Sequence, residues 1–198
     1  MSGAELFDRN LAAHQQVFAA LGAMREAVAL AGARLAQVIA EGGRLLLFGN
    51  GGSACDSLHI AAELSGRLRQ ERRALPAWSL SGDVGALTAI GNDYGYEQVF
   101  ARQLQAHARR GDCAIALSTS GRSPNVLRAL ACAEELGLES IALLGRDGGP
   151  ARTMARLALV VPHDDSARIQ EAHIFIGHTW CGQIEQALGL VPAGGGRA

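Results

Sequence analysis

"LLLFGNGGSACDSLHIAAEL" runs from Leu45 to Leu64. Its apolar start reads as a strand buried on both faces, "GNGGS" as a tight bend, and the remainder as a helix. A strand that hands over directly to a helix is the first half of a βαβ unit, which requires a parallel sheet. The rhythm recurs downstream. Apolar runs at 44–48, 76–80, 112–118, 140–145 and 157–162 predict five strands. Helical patterns follow Ser53 and fill 83–91, 95–109, 124–136 and 150–155, and a long closing helix covers 166–188. The expected fold is a three-layer α/β/α sandwich with a five-stranded parallel sheet, flavodoxin-like in class.

Residues 4–20 and 22–41 predict two more helices, broken near Gly22. Their Ala- and Leu-rich surface exceeds what one sheet face can cover, so 1–41 is expected to serve oligomerisation. The organisation expected is one domain over 1–190, with a disordered tail over 191–198.

Composition narrows the function classes. Hydrophobic residues make up 48% and charged residues 19%, which suits a packed globular domain and not a disordered or fibrous chain. A formal net charge of −1 supplies no basic field for nucleic acid. The opening "MSGAELFDRN" lacks the basic and apolar regions of a signal peptide, and no apolar run approaches membrane-spanning length. Cys55, Cys113, Cys132 and Cys181 are widely spaced and read as small hydrophobes of a reducing cytoplasm. The one dense basic cluster, "GRLRQERR" (66–73), reads as a solvated face from which one arginine could reach a phosphate.

In doubly wound sheets ligands bind beyond the carboxyl ends of the strands, where strand order reverses. With the order 2-1-3-4-5, that point falls between the first and third strands. The most loop-like polar stretches of the chain follow these two strands. "STSGRSPN" (118–125) places Ser123 as N-cap and Pro124 at the first helical position. Helix-end N–H groups and the hydroxyls of Ser118, Thr119, Ser120 and Ser123 can surround a phosphate without a lysine. "GNGGSA" (49–54) also matches the weak G-x-G-x-x-A dinucleotide fingerprint, although Asp83 comes late for its acidic partner. Ser53 and Asp56 have the spacing of a capping box.

His59 and Glu63 stand i, i+4 on one helical face. The closing helix adds "RIQEAHIFIGH" (168–178), with Gln170, Glu171, His173 and His178 among apolar neighbours. Glu171 points nearly as His178 does, Gln170 lies about 80° away and His173 about 140°. Either Gln170 or Glu171 can therefore join His178 at one centre. Two histidines, a glutamate and one more oxygen donor could hold a zinc-like ion with a position left open.

Four stretches together, "GNGGSACDSLHIAAELSGR", "AIGNDYGYEQVFARQ", "STSGRSPN" and "RIQEAHIFIGH", resemble the phosphoheptose isomerases of the sugar isomerase (SIS) domain group. The resemblance covers Gly43 to Leu188. It implies a cytoplasmic homotetramer that interconverts sedoheptulose 7-phosphate and D-glycero-D-manno-heptose 7-phosphate, at the entry to ADP- or GDP-heptose synthesis. It implies one zinc ion per subunit on His59, Glu63, Gln170 and His178, and so selects Gln170 over Glu171. Matching positions assign substrate binding to Asn50, Gly51, Gly52, Ser53, Glu63, Asn92, Asp93, Ser118, Thr119, Ser120, Ser123 and Gln170, with Arg67 serving a neighbour's site. Glu63 and His178 are the expected acid–base pair for an enediol(ate) reaction. A sister branch of the group consists of non-catalytic regulators, whose mark would be loss of the His/Glu/Gln/His set. This chain carries all four residues, so the isomerase ranks first, a regulator or sugar-phosphate binder second and a dinucleotide enzyme third.

Overall fold

The computed structural model describes residues 1–192; most of the expected tail, 193–198, lies outside them. The five strands are β1 (Leu45–Gly49), β2 (Ala77–Ser79), β3 (Cys113–Ser118), β4 (Glu139–Gly145) and β5 (Leu157–Val161), in the order β2-β1-β3-β4-β5. Every neighbouring pair is parallel. The sandwich and strand order agree with the sequence reading.

Alternation along the strands divides the apolar side chains between two cores. Leu45 and Leu47 of β1, Ile115 and Leu117 of β3, and Leu143 of β4 face one side. There they meet α1 (Gly3–Ala20), α2 (Arg25–Ala40), α3 (Gly52–Ser65) and α8 (Ser166–Ala187). Leu46, Phe48, Ala114, Ala116 and Leu144 face the other side. That layer is built from α4 (Val84–Tyr94), α5 (Ala101–His107), α6 (Pro124–Glu135) and α7 (Ala151–Met154).

Three local expectations change. The helix expected over 95–109 starts late: α4 runs past 91 to Tyr94, where Gly95 (φ 89) takes a backbone conformation open mainly to glycine and ends it. A 3-10 turn, Tyr96–Gln98, then leads into α5. The break at Gly22 is likewise a 3-10 turn, Leu21–Met24. The Ser53–Asp56 capping box does not form. Gly51 (φ 55) is the N-cap of α3 and carries no side chain to cap with, so Ser53 already lies inside the helix.

Part of the apolar surface of α1 is used within the chain. Phe18 meets Phe175 of α8 edge-on at 5.2 Å, His14 bonds Glu171 at 2.8 Å, and Arg168 donates to the Asn10 carbonyl at 2.7 Å. Leu6, Phe7 and Leu11 remain exposed.

The basic cluster corrects its reading too. Arg72 is buried; its Nε donates to Glu185 of α8 at 2.9 Å. Its terminal nitrogens donate to the carbonyls of Glu63, Leu64 and Gly66 at the end of α3. One guanidinium thus caps a helix whose last carbonyls lack partners within the helix and ties it to the helix beside it. Helices α3 and α8 also approach closely, since a Cβ at Gly177 would fall 2.5 Å from Ile60 Cδ1. Replacing Arg72 with Met leaves Glu185 buried and unpaired, so unfolding in urea should show a loss of about 3–5 kcal/mol. Adding Glu185→Leu should restore a substantial part of that loss. A double variant no more stable than Arg72→Met would mean that the carbonyl bonds, and not the ion pair, carry the stability.

Candidate active site

The loops after β1 and β3 lie side by side at the carboxyl edge of the sheet, because β1 and β3 are paired. Together they enclose a polar hollow of about 90 Å³, lined by Asn50, Ser53, Ser118, Thr119, Ser120, Ser123, Gln170 and Leu117. Two of its hydroxyls shape the loop that bears them. Ser118 Oγ accepts from the Gly121 N–H at 3.1 Å, and Ser120 Oγ accepts from the Arg122 N–H at 3.2 Å. Thr119 shares a hydrogen bond with Ser166 at the start of α8 (3.3 Å). Ser123 precedes Pro124 at the head of α6, and its hydroxyl makes no capping bond. A hydroxyl at a helix N-terminus that does not cap the helix is available to an anion. Arg122 turns to Asp147 at 2.5 Å.

Two turns along α3 lies the second cluster. His59 Nε2 is 3.3 Å from Glu63 Oε1 and 3.3 Å from His178 Nε2, and His178 Nε2 is 3.6 Å from Glu63 Oε1. Residues 119 positions apart therefore meet within one chain, with no neighbouring subunit required. Glu63 Oε2 is buried without a hydrogen-bond partner. Among the described residues, His59, Glu63 and His178 form the one group of His, Cys, Asp and Glu that could hold a metal ion, their donor atoms all within 4.8 Å of one another.

The closing helix distributes its other polar residues. Glu171 takes His14 on one oxygen and Arg168 on the other, at 2.8 and 2.5 Å, and stays out of the cluster. His173 is a core residue, its Nε2 3.0 Å from the Leu144 carbonyl. Gln170 stands against Gly52, where a Cβ would lie 2.6 Å from its amide, and reaches the serine-lined hollow. Asn92 and Asp93 are exposed at the end of α4 and bond each other at 2.7 Å. Arg67 is exposed, 3.9 Å from Glu71. Asn125 escaped the sequence reading although it closes the serine motif. It is buried, and its amide pairs reciprocally with that of Asn50 at 2.8 and 2.9 Å.

Comparison with known proteins agrees with this arrangement. Residues 11–145 match the SIS domain family. The chain is 49% identical over 179 residues to the phosphoheptose isomerase of Citrifermentans bemidjiense, covering 90% of this chain and 93% of that one. The phosphoheptose isomerase structure from Francisella tularensis superposes with a TM-score of 0.91 at 35% identity, covering 94% of this chain and 100% of that one. That from Neisseria gonorrhoeae gives 0.82 at 41% identity, with 92% and 96% covered. The chain belongs to the SIS domain family, among its phosphoheptose isomerases, and is thus an enzyme of the aldose–ketose isomerase class.

Two titratable groups near the site, His173 buried and Asp56 half-buried, give opposite pH dependences. Burial lowers His173 from 6.5 to about 4, so between these values the unfolded chain binds a proton that the native chain does not. That lowers stability as pH falls, by at most about 1.4 kcal/mol per pH unit. Burial raises Asp56 from 3.8 to about 6, with His59 opposing, so in that window the native chain is the better proton binder and gains stability as pH falls. Denaturant melts from pH 7 to pH 4.5 should show Asp56→Asn losing stability more steeply than the parent chain. Parallel slopes for the two proteins would exclude this compensation.

Proposed function

We propose that this enzyme interconverts sedoheptulose 7-phosphate and D-glycero-D-manno-heptose 7-phosphate. The observation that carries the reading is the meeting of Glu63 and His178 at 3.6 Å, on the sheet edge that also holds the serine hollow. A protein that only bound sugar phosphates would have no need of an acid–base pair there. Relatives named phosphoheptose isomerase support the reading.

The phosphate is assigned to the hollow, held by the hydroxyls of Ser118, Thr119, Ser120 and Ser123 and the N–H groups at the head of α6. Asn50, Gly51, Gly52, Ser53 and Gln170 line the path toward the reacting end. Asn92, Asp93 and a neighbouring subunit's Arg67 are assigned to the outer part of the sugar. At the reacting end a base removes the proton from the carbon beside the carbonyl, and the C–H electrons become the enediol double bond. An acid protonates the carbonyl oxygen. Delivery of a proton to the former carbonyl carbon, and loss of one from the hydroxyl on the carbon first deprotonated, moves the carbonyl by one position with no atom gained or lost. Glu63 and His178 divide these transfers between them.

The donor set also fits a zinc ion. Two imidazole nitrogens and a carboxylate oxygen converge, with a second carboxylate oxygen buried and unpaired. His59, Glu63 and His178 would hold it, with Gln170 as the fourth ligand. When bound, such an ion supplies Lewis-acid stabilisation of the oxyanion that develops as the proton leaves carbon.

The reading extends to the assembly. Residues 1–190 act as one domain, and a homotetramer with sites at its interfaces covers the exposed Leu6, Phe7 and Leu11 of α1. Among the described residues no helix is long and apolar enough to cross a membrane. The enzyme is assigned to the cytoplasm, where its product feeds ADP- or GDP-heptose synthesis.

Incubating the purified protein with sedoheptulose 7-phosphate should yield the aldose phosphate. Glu63→Gln and His178→Gln should each lower kcat by about two to four orders of magnitude while the protein stays folded. A Glu63→Gln enzyme with unchanged kcat would remove the acid–base assignment. Metal analysis should find close to one zinc per chain, and His59→Ala should lose the ion without unfolding. Full activity after chelation to a verified metal-free state would leave Glu63 and His178 as a metal-free pair.

A further inference from the structure

Both polar atoms of the Asn50 side chain are bonded within the protein, with one amide N–H to spare. Its Nδ2 donates to Asn125 Oδ1 at 2.8 Å, and its Oδ1 accepts from Asn125 Nδ2 at 2.9 Å and from the Tyr96 hydroxyl at 3.3 Å. These residues come from different connections. Asn50 lies in the glycine bend after β1, Tyr96 follows α4 in the crossover from β2 to β3, and Asn125 opens the helix after β3. Asn125 is only 2% exposed, and its side-chain bonds run to Asn50 alone among the described residues.

A buried amide has two donors and an acceptor to satisfy, and a reciprocal pair meets one of each on both partners in a single planar contact. Such a contact fixes separation and orientation together. It sets the glycine bend against the serine loop at the wall of the hollow, and the Tyr96 hydroxyl sets the end of α4 against the same amide. We propose that Asn125 and Tyr96 are positioning residues, and that the Asn50 side chain is the hub that holds the phosphate hollow in its binding shape before ligand arrives. Asn50 then serves the ligand first by holding its loop in place, since both of its polar atoms are already paired with Asn125. Holding the loops ready in advance lowers the ordering cost of binding. This rests on the proposed assignment of the hollow to phosphate.

The test is a double-mutant cycle on Asn50→Ala and Asn125→Ala, read by the affinity for inorganic phosphate and by KM and kcat on the sugar phosphate. Each single change should weaken phosphate binding about tenfold, as expected for one lost buried hydrogen-bonded partner. The double variant should be no weaker than either single one, because the two act as a unit. KM should rise with kcat little changed, since the phosphate contacts are alike in ground and transition state. The near-isosteric Asn125→Asp, which sets two acceptors face to face, should match Asn125→Ala and guard against a packing artefact. Tyr96→Phe should give a smaller loss in the parent chain and none in the Asn50→Ala background.

Independent losses, with the double variant weaker by the product of the two, would overturn the proposal and return Asn50 to direct ligand contact. So would an Asn125→Asp protein that binds phosphate as the parent does. A parent chain that binds neither phosphate nor sugar phosphate would instead overturn the assignment of the hollow, and this inference with it.

Discussion

Everything proposed for this enzyme depends on α3 and α8 keeping one fixed relation, and the Arg72–Glu185 pair sits at their seam. The arginine caps the end of α3 through the carbonyls of Glu63, Leu64 and Gly66 while it pairs with a carboxylate on α8. One of those carbonyls belongs to Glu63, the residue whose side chain meets His59 and His178. A shift along the seam would therefore separate the donors. The close fit of Gly177 against Ile60 leaves no room for the helices to slide, and His178 is the next residue. Burial of a charge is costly in itself, and such pairs more often fix geometry than add net stability. Here the geometry they fix is that of the reacting centre.

The second constraint is the parallel pairing of β1 and β3. It brings the two richest polar loops of the chain together where strand order reverses, the place at which doubly wound sheets bind ligands. The hollow they form carries no lysine or arginine in its wall, and the nearest cation in the loop, Arg122, is occupied by Asp147. Anion binding here must draw on hydroxyls, amides and the head of α6. Such donors hold a phosphate by direction more than by charge.

Much of this was legible in the chain itself. The βα rhythm, the strand positions and the serine loop all follow from local patterns, since periodicity and turn chemistry act over a few residues. The His59–Glu63 stack is equally local. Helix interruptions were harder. Gly95 ends α4 at the position where the next helix was expected to begin, and Gly51 displaces the N-cap expected at Ser53. In both cases a glycine backbone conformation overrides a pattern read from side chains.

The rest required the tertiary structure. Angles on the last helix leaned toward Glu171 over Gln170, and only the docking of α1 shows Glu171 spent on His14, with Arg168 on its other oxygen. A basic run that reads as a solvated face holds one residue, Arg72, whose buried role depends on a glutamate 113 positions away. Asn125 looks like an ordinary second residue of a helix until Asn50 is set beside it. The sequence alone determined the layers, the sheet and the residue types able to do the chemistry, because each is written in short-range spacing. The structure decided which of those residues meet, because contacts between distant segments are fixed by packing, and no local period records them.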